Sequence, residues 1–243
     1  MAYKNHQQFY DDPKLYDEVL AGSDPGELEY YKRLAAAGRN LLFLGPGTGR
    51  ILKSLSEVNS GVVGVERSKN MAQKSAKNAP EATIINQDIL NLKLKEKFDL
   101  VIAPYEFLNH FDTEKLNRVL KVVAEHLSAG GRFITQLKNP YHCAGRLHSA
   151  ELDYVGLSGK DILEKTYVAF DESKQMYTDY IERTSLSKNT QDLVVMTWYY
   201  YFPKQLEVYY KKAGLKTGNV MGKFNVAKFT KTSPLLIIEA TSA

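Results

Sequence analysis

Three glycines at alternate positions, Gly45, Gly47 and Gly49, follow the apolar run Leu41 to Leu44 and precede an amphipathic stretch that starts at about Arg50. Glycine has no Cβ, so such a turn admits left-handed backbone and lets a ligand approach the main chain closely. The spacing is G-x-G-x-G, whereas a dinucleotide turn needs G-x-G-x-x-G with the pyrophosphate at the helix N-terminus. Downstream, Glu66 closes a second apolar segment, where an α/β nucleotide site places the carboxylate that accepts from both ribose hydroxyls. His110 lies in the segment Pro104 to Phe111; it titrates near neutrality and is a candidate to take a proton from an oxygen or nitrogen nucleophile, the alternative being a structural hydrogen-bonded histidine. Tyr105 and Glu106 share that segment, and Asn109 and Glu106 are placed to orient an acceptor.

The elements that must position these groups follow from periodicity. Leu41 to Leu44, Gly61 to Glu66, Ala82 to Asn86 and Phe98 to Ala103 read as short buried strands, and helical spacing predicts helices over 25–37, 69–78 and from 113 to Gly130-Gly131. Ser68 and Asp112 or Thr113 are the expected N-caps. Met71, Ala72, Ser75 and Ala76 should form one inner helix face. Strands alternating with helices indicate an α/β fold with a parallel sheet, and ligands then bind beyond the carboxyl ends of the strands.

From Tyr141 to Phe202 the period changes. Thr166 to Phe170, Met176 to Thr184 and Leu193 to Phe202 are rich in aromatic and β-branched residues, which predicts a three-stranded antiparallel insertion. Alternation puts Trp198 and Tyr200 on one face and Tyr199 and Tyr201 on the other. One face should pack on the core; aromatic packing, a homodimer face and a substrate cavity all fit the other. Pro203 opens a further helix, and two strands over 217–224 and 234–240 should form the last antiparallel pair.

Composition narrows the class. The 243 residues suit one globular unit, and 32 basic against 28 acidic side chains, scattered along the chain, leave no electrostatic footprint for nucleic acid. Cys143 is the single cysteine, so an internal disulfide and a cysteine-rich metal site are excluded and no metal is expected. The polar stretch Met1 to Tyr10 has no signal-peptide core and no apolar run approaches spanning length, so the expectation is a cytoplasmic protein without a membrane partner.

The glycine turn, the strand-end Glu66, the pair Asp88-Ile89 after the third strand and the run Leu127 to Ile134 resemble, in order, the motifs of the class I S-adenosylmethionine-dependent methyltransferases, in particular the bacterial small-molecule group. The resemblance implies a seven-stranded, mostly parallel Rossmann-like sheet with helices on both faces and a small antiparallel insertion. The core would comprise 1–140 and 203–243 with an N-terminal helical lid, and the insertion 141–202. It implies S-adenosylmethionine as cofactor, a small-molecule methyl acceptor, and the adenine amino group on Asp88 with the ring on the N–H of Ile89. It also places Tyr16, Arg67, Met71 and Ala103 at the cofactor, though Met71 reads equally as core and Asp88 as a turn-initiating residue. Phe9 to Leu20, either a short amphipathic helix or the family's cofactor lid, brings Tyr10 toward the acceptor, with Asn109, Trp198 and Tyr200.

Two departures qualify the match. Phe43 stands where the family carries an acid near the cofactor's ammonium, with Glu29, Asp17 or a water as candidate substitutes, and Pro46 replaces the usual Cys or Ser. Phe43 therefore keeps open a second function, a methyltransferase-fold binding or regulatory protein with impaired catalysis. A nicotinamide oxidoreductase is disfavoured by the glycine spacing. Nucleic-acid amino methylation is disfavoured because Ala103-Pro104-Tyr105 lacks the amide or carboxylate that those enzymes carry there.

Overall fold

Strand β2 (Leu41–Leu44) is apolar at every position because it lies inside a seven-stranded sheet and is covered on both faces. The computed structural model describes residues 2–19, 25–38, 40–143, 151–158, 161–224 and 227–242. In chain order the elements are β1 (Ala2–Asn5), α1 (His6–Tyr10), α2 (Pro13–Val19), α3 (Pro25–Ala37), β2, α4 (Arg50–Ser56), β3 (Val62–Glu66), α5 (Lys69–Asn78) and β4 (Thr83–Asn86). There follow β5 (Phe98–Ala103), α6 (Thr113–His126), β6 (Leu127–Lys138), β7 (Glu151–Ser158), β8 (Ile162–Asp171), β9 (Met176–Ser185), β10 (Thr190–Tyr199), α7 (Pro203–Lys212), β11 (Leu215–Met221) and β12 (Leu235–Ser242).

The large sheet runs β11-β12-β6-β5-β2-β3-β4. The five strands from β6 to β4 are parallel, and β12 is antiparallel to both β6 and β11. The chain leaves β2 toward β3 and β4, then returns to the other side of β2 as β5. Strand order therefore reverses at β2 and β5, and the crevice beyond their carboxyl ends is where such a sheet binds ligands. Alternation splits the core into two layers. Leu42, Leu44, Val101 and Ala103 pack on α6 and α7 through Leu116, Val119, Leu206 and Tyr210. Leu41, Phe43, Leu100 and Ile102 pack on α3 and α4 through Tyr31, Ala35, Leu52 and Leu55.

The second sheet has five strands, β1-β10-β9-β8-β7, where periodicity gave three. Its middle is the expected antiparallel meander. The missed strand β7 is interrupted by Gly156 and exposes Leu152, Tyr154, Val155 and Leu157, so it lacks the half-buried alternation that marks a strand. β1 is polar and owes its extension to parallel pairing with β10, in the register Ala2 to Asp192. β10 ends at Tyr199, before the expected Phe202, because Tyr200 to Phe202 lead into α7. Trp198 and Tyr200 face one core cluster and Tyr199 and Tyr201 another, as alternation requires.

Phe9 and Leu15 join Val168, Tyr177, Met196 and Trp198 in a third core cluster. The N-terminal segment thus packs on the insertion; Leu20, the end of the expected lid, lies outside the described residues. Three local expectations need correction. Ala76 on α5 is exposed, while Met71, Ala72 and Ser75 are buried. α6 stops at His126, short of Gly130-Gly131, because Leu127 is already extended (φ −74°, ψ 139°) and pairs with Phe98. β11 is shifted to begin at Leu215. Among the described residues, no helix is long and apolar enough to cross a membrane.

Candidate active site

The glycine loop after β2 turns through left-handed backbone at all three glycines, with φ of 63°, 57° and 84° at Gly45, Gly47 and Gly49. Each is packed against a different partner. A Cβ on Gly45 would stand 2.7 Å from the ring of Phe107, one on Gly47 2.9 Å from the hydroxyl of Tyr16, and one on Gly49 2.8 Å from Ser75 Oγ. Pro46 packs on Gly64 of β3 and holds the loop to the sheet. Thr48 donates from Oγ1 to Asp17 of α2 at 2.6 Å, so α2 is hydrogen-bonded to the loop itself.

Glu66 ends β3 beside this loop. Its Oε2 accepts the N–H of Gly47 at 3.1 Å and its Oε1 accepts the N–H of Ser68 at 2.8 Å. Burial pushes the carboxyl pKa up, against the pull of these two N–H groups and the charge of Arg67. Each oxygen keeps a lone pair for a further donor. Asp88, after β4, caps the turn that follows by accepting the N–H of Leu90 at 2.9 Å, which leaves its second oxygen available.

These groups line one cavity of about 310 Å³ with Gly45, Gly47, Arg67, Ile89, Phe107 and His110, roofed by His6, Tyr10 and Tyr16 from the N-terminal segment. The donor set fits the cofactor that the motifs imply: close backbone at Gly45 and Gly47, a carboxylate with two open acceptor positions at Glu66, and an acid beside an N–H at Asp88 and Ile89.

His110 sits on a short 3-10 turn, Phe107–His110, launched by two consecutive left-handed non-glycine residues, Tyr105 (φ 48°) and Glu106 (φ 56°). Such backbone costs on the order of 1 kcal/mol or more per residue, so the surrounding contacts must hold it. Tyr105 donates its N–H to Gln136 Oε1 at 2.7 Å. Asn109, fully buried, donates to the carbonyl of Tyr199 at 2.5 Å and accepts the N–H of Lys138 at 3.2 Å. Glu106 accepts from the hydroxyl of Tyr177 at 3.4 Å, and Lys138 lies 4.3 Å over the same ring. Burial raises the Glu106 carboxyl pKa, with Lys138 opposing it.

The sequence-derived site is therefore only partly assembled. Tyr10, Tyr16, Gly45, Gly47, Glu66, Arg67, Asp88, Ile89 and His110 line the cavity. Gly49 serves as the N-cap of α4 against Ser75, and Met71 and Ala103 are buried core side chains that do not reach the wall. Tyr105 is on the opposite side of the sheet end, with Arg50 4.7 Å over its ring and Glu27 close by. Asn109 spends both ends of its amide on backbone, so it clamps the turn. Trp198 stands behind the wall, 4.6 Å from the His110 ring, with its Nε1 donating to Asp179. Tyr200 packs on Phe202, away from the cavity.

Phe43 is buried among apolar side chains, and neither Glu29 nor Asp17 lines the cavity. Glu29 is exposed, and Asp17 is engaged by Thr48. The buried acid on that side is Glu27 of α3, whose charge acts on Tyr31 and Tyr105. Sequence reasoning also missed His6, Phe107 and Lys115 in the cavity wall. Phe107 carried a usable signal, since it is one of the aromatics leaving β5 at the switch point. Among the described residues, no group of three or more His, Cys, Asp or Glu side chains is arranged to hold a metal ion.

Residues 41–131 match the family model described as Methyltransferase domain. An uncharacterized methyltransferase of Alkaliphilus oremlandii is 24% identical over 140 residues, covering 58% of this chain and 61% of that protein. The dTDP-3-amino-3,4,6-trideoxy-alpha-D-glucopyranose N,N-dimethyltransferase of Streptomyces venezuelae is 29% identical over 98 residues, covering 40% of this chain and 41% of that protein. The chain thus spans about three fifths of the length of the curated relatives it matches first. The CcbJ methyltransferase of Streptomyces caelestis superposes with a TM-score of 0.85 at 21% identity, over 96% of this chain and 98% of that one, a likeness of fold. The matched segment carries the glycine loop, Glu66 and Asp88 inside that fold, so residues 41–131 form a methyltransferase domain, and the chain is similar to the class I S-adenosylmethionine-dependent methyltransferases.

Proposed function

We propose that this chain transfers the methyl group of S-adenosylmethionine to a nitrogen or oxygen of a small molecule, an amine nitrogen being the better supported acceptor. The observation that carries this reading is the single cavity in which Gly47, Glu66, Asp88 and His110 meet under Tyr10 and Tyr16. When bound, the cofactor supplies a methyl group already activated on a sulfonium. The chain's own task is to bind, align and exclude water. Glu66 would take the ribose hydroxyls on its open lone pairs, Asp88 and the N–H of Ile89 the adenine edge, and Tyr10 and Tyr16 would close over the reacting centre.

Preference for an amine comes from the layer behind Tyr10. Glu106 and Asp179 both act on the Tyr10 hydroxyl and, with burial, push its pKa well up. Two carboxylates behind an aromatic roof favour an acceptor that is cationic before reaction; Glu106 does not line the cavity, so it acts on the acceptor through its charge and not as the base that contacts it. The amino sugar named for the Streptomyces venezuelae relative agrees with this class. A homodimer, if formed, has an edge available in β7, whose exposed apolar side chains lie at the end of the second sheet. The binding-only reading is less favoured, since Phe43 sits in the core cluster and removes no group from the cavity wall.

The test is calorimetric titration with S-adenosylmethionine and S-adenosylhomocysteine, followed by an acceptor screen by mass spectrometry. Micromolar binding of both, lost in Glu66→Ala, is expected. Binding of neither would overturn the assignment.

A further inference from the structure

His6 reaches the cavity from the first residue of α1 and meets His110 edge-on, with ring centroids 4.8 Å apart at 80° and Nε2 2.7 Å from His110 Nδ1. The other nitrogen of His6, Nδ1, faces the backbone N–H of Thr197 on β10 at 3.1 Å. A backbone N–H can only donate, so Nδ1 of His6 presents a lone pair. Burial favours the neutral form of both rings: His6 is lowered to about 4 and His110 well below its ordinary value, with the charge of Arg67 acting the same way on each. A neutral imidazole has one N–H. In His6 that proton must be on Nε2, which donates it to Nδ1 of His110, and the single proton of His110 must then be on its own Nε2. No acceptor for that Nε2–H is found among the described residues, and His110 lines the cavity.

We infer that His6 is a positioning residue that fixes His110 in the Nε2–H tautomer, so that His110 meets the methyl acceptor as a hydrogen-bond donor and not as a base. The acceptor must then offer a lone pair, on a hydroxyl or carbonyl oxygen or a second nitrogen, beside the atom that is methylated. The register of β1 produces the arrangement. Asn5 pairs with Val195, which sets His6 against Thr197. A slip of one residue would point the ring to the other face of the sheet. The tautomer holds whatever the chain's reaction, while the requirement on the acceptor rests on the methyl-transfer reading.

The two are tested separately. Long-range proton–nitrogen correlation spectra of the full 15N-labelled chain, with His110 identified by its loss in His110→Asn, report the tautomer without any activity. A pyrrole-type Nε2 and pyridine-type Nδ1 are expected in the wild type and in His6→Gln, whose amide can still donate. Both nitrogens of His110 should move to intermediate shifts in His6→Phe. A pyrrole-type Nδ1 in the wild type, or a His6→Phe spectrum like the wild type, would overturn the inference, and the wild-type spectrum decides even if His6→Phe does not fold. With an acceptor in hand, His6→Phe should raise its KM about tenfold, the worth of one lost hydrogen bond, with kcat within about threefold. A fall in kcat with a displaced pH profile would mark His110 as the base and sink the donor role.

Discussion

The carboxylate of Glu66 accepts the backbone N–H of Gly47 at 3.1 Å, tying the end of β3 to the loop that ends β2. The acid therefore shapes the loop before any ligand arrives. Glu66→Gln keeps the shape of the side chain and loses its charge, so affinity for S-adenosylhomocysteine should fall by roughly 10- to 100-fold, the range of a charge-assisted hydrogen bond. Calorimetry checks it; an affinity equal to the wild type would remove Glu66 from the site.

Two glycines with similar left-handed backbone should respond differently to alanine. Gly49 has φ 84° and its Cβ would stand 2.9 Å from Ser75 Cα and 3.1 Å from Ser75 O, whereas Gly130, at φ 74°, has nothing within 4 Å. Gly130→Ala should cost about 1 kcal/mol, the backbone term alone, and Gly49→Ala at least about twice that. Urea denaturation of the two variants measures the difference, and equal costs would mean that α4 and α5 separate freely.

Stability should fall on acidification through the range in which His6 titrates in the unfolded chain. Its pKa is lowered from 6.5 to about 4 on folding, so between those values the unfolded state binds a proton that the folded state refuses. The contribution is complete above about pH 6.5 and is lost as the pH drops toward 4, amounting to about 2 kcal/mol between pH 7 and pH 5. His110 acts in the same direction. Urea midpoints at the two pH values should differ less for His6→Gln than for the wild type; an unchanged difference would show that His6 is not desolvated.

Asn109 is expected to matter for folding. Asn109→Ala strands the carbonyl of Tyr199 and the N–H of Lys138, and should destabilise the chain by about 2 to 4 kcal/mol. Thermal unfolding reads this directly. Tyr200→Phe, by contrast, should leave the KM of an acceptor unchanged, since Tyr200 packs on Phe202 outside the cavity.

How much of this was legible in the sequence depended on the range of the signal. Local signals were read well: Ser68 and Asp112 cap their helices, Pro203 opens α7, and the glycine loop, Glu66 and Asp88 meet as their order implied. What was missed depends on partners distant in the chain. Nothing near His6 indicates that it will face Thr197, and nothing near Asn109 indicates that its amide will be consumed by Tyr199 and Lys138. Tyr105 and His110 are five residues apart, yet the left-handed pair Tyr105 and Glu106 sends them to different sides of the sheet end, a backbone event that side-chain types do not announce.

The pairing of β1 with β10 also has a consequence for biogenesis. Ala2 must wait for Asp192, about 190 residues later in synthesis, before the strand that carries His6 has anything to pair with. At roughly 5 to 20 residues per second the glycine loop emerges about 7 to 29 s, and the last parallel strand, β6, about 3 to 11 s, before that partner does. The nucleotide-binding half of the chain can thus assemble with its roof still unbuilt, and a nascent chain stalled before β10 would have the binding floor without the cover that makes a closed reaction chamber.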